Sequence, residues 1–320
     1  MNVAIDEGPL KSGDSVRGIG VYTRELIKAT GLKAINTKKV DLAKFDIVHF
    51  TKFNPFTLSL PLGKPPTTKF VLTIYDLIPL IYPAHYPPGV KGRLNWLINK
   101  FLIKRNIDAV VTISETSKKD ICRFIGINPE KVTVIYPAAP PSFKKLEVTK
   151  KYDLPDNFAL YVGDVNYNKN IPLLLKACKL SKIPLVVCGE QAKKIEKLNL
   201  NHPELKHLKG LDWSGVTRLG FVGEKELVDI YNLAKVYVQP SIYEGFGLPA
   251  VQAVACGTPL AIAKSQCMVE VLGEDFNYCD AGDADLMAKA ITNPNKNKKL
   301  PRNYSWVKTA EETLNIYRHV

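Results

Sequence analysis

The stretch SIYEGFGLPAVQAVACGTPLAIA, residues 241–263, decides how the chain folds. It continues the apolar run KVYVQPS (235–241), which reads as a buried strand, so an acidic, glycine-rich turn stands at the strand's carboxyl end. Pro249 supplies the fixed φ favoured at the first helical position and Gly257 a left-handed stop, which predicts a helix over 249–256. The amides near Phe246, Gly247 and Leu248 then lie at the helix N-terminus, where the dipole favours an anion such as a diphosphate. Gly245 and Gly247 allow close backbone approach. Glu244 is an odd neighbour for phosphate alone, and its carboxylate suits hydroxyl donors such as those of a sugar. The plainer alternative is an ordinary strand-to-helix turn.

The alternation of apolar run and helix extends in both directions. The second half also holds ALYVGD (159–164), PLVVCGE (184–190), VTRLGFVG (216–223) and PLAIAK (259–264), with helices predicted near 170–180, 191–198 and 224–234. The first half holds VAI (3–5), IVHF (47–50), KFVLTIY (69–75), AVVTIS (109–114) and VTVIYPA (132–138), with helices near 19–30, 90–107 and 115–125. Apolar runs without strict alternation favour parallel strands covered on both faces. Two such sets imply two doubly wound sheets, with the change of domain in the Pro-rich, charged stretch 136–155. Ligands of such sheets bind outside the strands' carboxyl ends, which points to a cleft between the domains.

The 320 residues suffice for two cores, and a 46% hydrophobic composition argues against disorder. The longest apolar stretch, residues 69–83, is interrupted by Asp76 and two prolines, too broken for a spanning helix. MNVAIDEG reads as a first strand rather than a leader, which predicts a cytoplasmic protein. The six cysteines form no C-x-x-C, so buried thiols are expected rather than zinc or disulfides. The net charge of +13 is uneven: residues 1–150 hold 23 basic and 12 acidic side chains, net +11, against +2 for the remainder. A basic first half suggests an anionic partner there, unless it is simply a solvated lysine-rich surface.

Taken in order, these segments resemble the retaining glycosyltransferases of the GT-B fold, the large family numbered four. The turn E-G-F-G-L-P at 244–249 matches its signature, RGIGVYTREL (17–26) its glycine loop, and TIYDLIPL (73–80) its H-D-L-I-P segment. TISETSKKDI (112–121) resembles its V-S-E-x-S segment and YVGDVNYNKNIPLLLKA (161–177) the loop leading to a Lys-Asn pair. The resemblance implies an α/β GT-B architecture of two facing Rossmann-like, doubly wound parallel-sheet domains. Residues 1–148 would bind the acceptor and 149–303 the donor, with a closing helix at 304–320 crossing back to the first domain. It implies transfer of a hexose, mannose or glucose, from a UDP- or GDP-sugar to a hydroxyl of a glycan or lipid-linked acceptor, with retention and with neither metal nor cofactor.

Carried over position by position, Lys169 is the diphosphate-binding lysine and Glu244 the contact to the donor sugar, together the implied catalytic pair. Donor binding would further use Gly18, Gly20, Gly245, Phe246, Gly247, Leu248 and Gln252, and the acceptor cleft Arg17, Tyr75, Asp76 and Ser114. Three features depart from the pattern. Gln252 replaces the second signature Glu, Tyr75 replaces a His, and Asp164, Asn166 and Asn168 fill a loop that usually carries an Arg. These departures leave open a weakened, transferase-like nucleotide-sugar-binding protein or partner subunit.

The segment VKGRLNWLINKFLIKR (90–105) places Val90, Leu94, Leu97, Ile98 and Phe101 on one helical face among five cations. It could lie on an anionic membrane at the inner face, but packing of that stripe on the first sheet is the simpler expectation. Asp283 and Asp285 have D-x-D spacing but read as the cap of an amphipathic helix, and His49 as a hydrogen-bonded structural residue. Nucleic acid is not expected as a partner, because no basic stretch is interleaved with aromatics.

Overall fold

The computed structural model describes residues 1–149, 152–296 and 298–320; Lys150 and Lys151 of the boundary stretch, and Asn297, lie outside them. The chain forms two compact units, one of Met1–Ala138 with Tyr304–Val320, the other of Ala139–Asn303. The unit change after Ala138 compares with 148 in the sequence reading. Residues after it already belong to unit 2: Phe143 packs edge-on against Tyr231, and the Leu146 amide donates to Asn232 Oδ1 at 2.7 Å.

Unit 1 contains β1 (Val3–Asp6), α1 (Gly18–Thr30), β2 (Lys33–Ile35), β3 (Ile47–Phe50), β4 (Lys69–Thr73), α2 (Ile78–Ile81), α3 (Gly89–Asn106), β5 (Ala109–Thr112), α4 (Glu115–Ile125) and β6 (Val132–Val134). Its six strands pair in parallel in the order β2-β1-β3-β4-β5-β6. Unit 2 contains β7 (Ala159–Val162), α5 (Ile171–Ser181), β8 (Leu185–Cys188), α6 (Glu190–Lys193), β9 (Val216–Arg218), α7 (Glu224–Leu233), β10 (Val236–Gln239), α8 (Leu248–Cys256), β11 (Leu260–Ala263), α9 (Gln266–Leu272), β12 (Tyr278–Cys279) and α10 (Ala284–Thr292). Its order is β12-β11-β10-β7-β8-β9, again all parallel. Both sheets are the doubly wound Rossmann-like kind. The strands β3, β5, β8, β10 and β11 are buried at every position, which is why they read as unbroken apolar runs.

The last helix, α11 (Trp306–His319), returns to unit 1. Its Tyr317 joins Val3, Ile47, Val71, Val111 and Ile135 in a core layer on one sheet face. His49 ties this layer together: Nδ1 lies 2.6 Å from Tyr317 Oη and Nε2 2.7 Å from Thr73 Oγ1. Burial holds its imidazole down, to about 3, so it is neutral in the fold. A depressed folded value means that the stability this residue confers is complete above the unfolded value near 6.5 and is lost as pH falls toward 3. Urea unfolding of the protein should therefore lose on the order of 3 kcal/mol by about pH 4 from this group alone. A His49→Gln variant should show a correspondingly flatter profile; equal slopes would remove the burial account.

The six cysteines are free thiols, five of them buried. Asp283 caps α10 by accepting from the Asp285 and Leu286 amides, as its sequence context suggested.

One helix is turned over relative to its sequence reading. Of the stripe Val90, Leu94, Leu97, Ile98 and Phe101 of α3, Ile98 packs partly buried against the core, while the other four side chains are exposed. Leu102 and Ile103 enter the core instead, beside buried Asn95, Asn99 and Asn106. The physical reason is the loop alongside. Asn95 donates to Phe56 O, Asn99 to Pro55 O and Thr57 O, and Asn106 to Leu62 O, satisfying backbone carbonyls that the loop has removed from water.

Candidate functional site

In unit 2 the strand order reverses between β7 and β10: β7 leads outward to β8 and β9, and β10 to β11 and β12. The carboxyl ends of two such neighbouring strands form the usual ligand crevice of a doubly wound sheet. The loop after β7 carries Lys169 and the turn after β10 carries Glu244. They meet here, with Lys169 Nζ 2.7 Å from Glu244 Oε1 and 2.9 Å from Oε2. The loops are stitched together beneath the pair by Ile242 N donating to Asn168 O at 2.9 Å and Asn168 Nδ2 to Tyr243 O at 3.0 Å. The Glu244 side chain is 7% exposed and that of Lys169 22%, so the cation is the member nearer solvent.

Sequence reasoning missed the residue that aims the carboxylate. Gln239, the last residue of β10, donates Nε2 to Glu244 Oε1 and to Ser241 Oγ, both at 2.7 Å. Its Oε1 accepts from Tyr237 Oη at 2.5 Å. Burial, and the nearby Glu244 charge, push Tyr237 well above the ordinary phenol value, so it remains a donor. Donation thus runs from Tyr237 through Gln239 to Glu244, which also accepts from Lys169 on its other side. An amide closing an otherwise apolar strand, five residues before Glu244, was the available signal.

The turn then enters α8 through Gly247, whose φ is +82°. A Cβ there would also lie 2.1 Å from the flexible end of Met268, but it is the backbone conformation that demands glycine. Phe246 is buried, and the Leu248 amide belongs to the first helical turn, which lacks acceptors of its own. Gln252 is buried on the inner side of α8, and its Oε1 accepts from Tyr231 Oη at 3.3 Å. Beside Lys169, Asn166 Oδ1 is buried without a hydrogen-bond partner.

The candidates in unit 1 follow the carboxyl ends of β1, β4 and β5, but several are spent on structure. Arg17 is the N-cap residue of α1, and Gly18 follows it with open space where a Cβ would stand. Gly20 is needed for packing: a Cβ would come 2.4 Å from Asp14 O. Burial raises the Asp14 carboxyl, but bonds to Lys52 and Ser12 and the charges of Lys52 and Arg17 outweigh it and hold the group below its usual value. Tyr75 donates to Thr51 O at 2.8 Å and packs edge-on to Tyr22. Asp76 accepts from Ile78 N at the start of α2. Ser114, assigned to the acceptor cleft, is fully buried; its Oγ caps α4 by accepting from Ser117 N at 3.0 Å. A capping serine needs no other role. Among the described residues no three His, Cys, Asp or Glu side chains gather as a metal would require.

Comparison with known proteins adds to this geometry. Residues 143–311 match the family described as Glycosyl transferases group 1, and residues 20–143 match Glycosyltransferase Family 4. The serotype-specific mannosyltransferase WbdA of Escherichia coli is 29% identical over 296 residues, covering 83% of this chain but 36% of that protein. The O-antigen chain mannosyltransferase RfbU of Salmonella typhimurium is 30% identical over 230 residues, covering 69% of this chain and 60% of that one. The chain thus spans about a third of WbdA and under two thirds of RfbU. Among solved structures, HepE of Anabaena in complex with UDP and glucose superposes with a TM-score of 0.66 at 13% identity, covering 100% of both chains, a likeness of fold.

Proposed function

Because the chain belongs to the family of glycosyl transferases group 1, with the GT-B fold, we propose that it moves a hexose from a nucleotide sugar to a hydroxyl of a glycan or lipid-linked acceptor. The carrying observation is the Lys169–Glu244 contact at the strand-order reversal, beside the glycine-gated start of α8. The donor, a UDP- or GDP-sugar, binds unit 2 with its diphosphate at Lys169 and the α8 N-terminus. As the bond to the diphosphate breaks, negative charge grows on the leaving oxygens, and the ammonium and the helix dipole oppose it. Glu244 accepts from hydroxyls of the donor sugar. The unpartnered Asn166 Oδ1 would be satisfied by another donor group of the ligand.

No side chain is required to form a covalent bond, since a donor phosphate oxygen can take the acceptor proton. The transfer proceeds with retention and without metal in this reading. The names of WbdA and RfbU favour mannose over glucose. The basic unit 1 suits an acidic or lipid-linked acceptor at the inner face of a membrane.

Thermal-shift measurements with GDP-mannose, UDP-glucose and their free nucleotides test the donor, since a ligand that binds only the native state raises the melting temperature. At least one sugar nucleotide should stabilise the protein, and NMR of the product should show the donor's anomeric configuration, with a turnover unchanged by EDTA. No stabilisation by any nucleotide sugar, or inversion in the product, would overturn the assignment. Stabilisation without transfer or hydrolysis would support the weakened binding protein, a reading favoured by the burial of Gln252 against Tyr231.

A further inference from the structure

Helix α3 buries three asparagines beside Leu102 and Ile103 and turns other apolar side chains outward. The asparagine side holds the loop at 54–62, which in turn leaves Leu58 and Leu62 exposed, at 53% and 72%. Gly92 permits this close contact, since a Cβ there would press on Pro88 and Phe56. The opposite side carries Leu94, Leu97 and Phe101, each more than half exposed. Three large apolar side chains, with Val90, thus line one face of the helix, an arrangement that marks an interaction surface.

The charges select the partner. The eighteen residues of α3 include Lys91, Arg93, Lys100, Lys104 and Arg105 and no carboxylate. The Arg105 guanidinium lies 5.8 Å from the Phe101 ring centre, so cation and apolar face are contiguous. At the end of the helix, Lys104 and Arg105 meet Lys69, Lys131 and His319 around a cavity of about 450 Å³, whose carboxylates are Asp108 and Glu130. Asp108 is already paired with Lys64 and Lys69. Two copies meeting through α3 would oppose five cations with five cations. An apolar strip bordered by cations fits a surface that is anionic outside and hydrocarbon within.

We propose that α3 is the face by which unit 1 lies on an anionic lipid bilayer. Leu94, Leu97 and Phe101 enter the acyl boundary, Lys91, Lys100, Lys104 and Arg105 bind headgroup phosphates, and the cavity at the helix end receives one headgroup. As the route to a lipid-linked acceptor this rests on the transferase reading; as a contact with lipid it does not.

Co-sedimentation of the full chain with vesicles tests it, using phosphatidylcholine alone and phosphatidylcholine containing about one third phosphatidylglycerol. Binding should be at least about tenfold tighter to the anionic vesicles and should weaken with salt. Leu97→Asp with Phe101→Asp should lower that binding by at least about tenfold without changing the melting temperature, because both side chains are exposed. Lys100→Glu with Lys104→Glu should remove the preference for anionic vesicles. Three results would overturn the proposal: equal binding to both vesicle types, no binding to either, or a dimer that the Leu97 and Phe101 variant dissociates. Stabilisation by a nucleotide sugar, read on the same variants, stays intact in each case, so loss of the lipid contact and loss of the donor site are told apart.

Discussion

Lys169→Ala is expected to lower kcat/KM by roughly a thousandfold, the usual scale for removing a group that meets charge developing in the transition state. It should also cost about 2 kcal/mol of stability. The second effect follows from Glu244, whose side chain is 7% exposed and would retain only Gln239 as a side-chain partner of known geometry. Lys169 is itself 22% exposed, which places the cost below that of a fully buried pair. The double variant Lys169→Met, Glu244→Gln should recover most of the stability, since it removes both charges, and none of the activity. Chemical denaturation and initial-rate kinetics on the three proteins separate the two roles. A Lys169→Ala enzyme with unaltered kcat/KM would remove this lysine from the reaction.

Gly247→Ala should be nearly as damaging to turnover, by a different route. Alanine at φ +82° costs about 1–2 kcal/mol, and its Cβ meets the Met268 terminus at 2.1 Å. Met268 is fully buried, so its terminus can yield only by repacking its neighbours. The turn must then shift, moving the first α8 amides and Glu244 together, so donor affinity should fall by more than tenfold along with stability. Met268→Ala in the same chain relieves the collision but not the backbone strain, so partial rescue is the diagnostic result. Full rescue would show that φ at Gly247 is unimportant, and no loss in the single variant would mean that the turn tolerates displacement.

How much of this was legible in the sequence depended on the range of the interaction. The long apolar strands were plain because a parallel strand buried on both faces leaves no polar position. The edge strands β2 and β12 were not read, being three and two residues long at the margins of their sheets. The Ser114 cap lay in the local pattern S-E-T-S. Lys169 and Glu244 were each found through their neighbours, but their contact spans 75 residues and no local pattern contains it. The α3 error has the same origin. Asparagine on a helix reads as a wet face, and only the loop whose carbonyls it satisfies reverses that meaning. The stretch 136–155 named as the domain change contains the unit boundary; Phe143 and Leu146 within it find their partners in α7, more than eighty residues away.

The return of α11 to unit 1 governs how the chain can be assembled as it leaves the ribosome. Residues 1–138 emerge first with the sheet face of Val3, Ile47, Val71 and Val111 bare, and Tyr317 covers it only after the 165 residues of unit 2 have been made. Unit 2 is contiguous and can close while its neighbour waits. The first-made half is thus the last to finish, and throughout synthesis it offers chaperones, or a neighbouring nascent chain, an uncovered apolar surface.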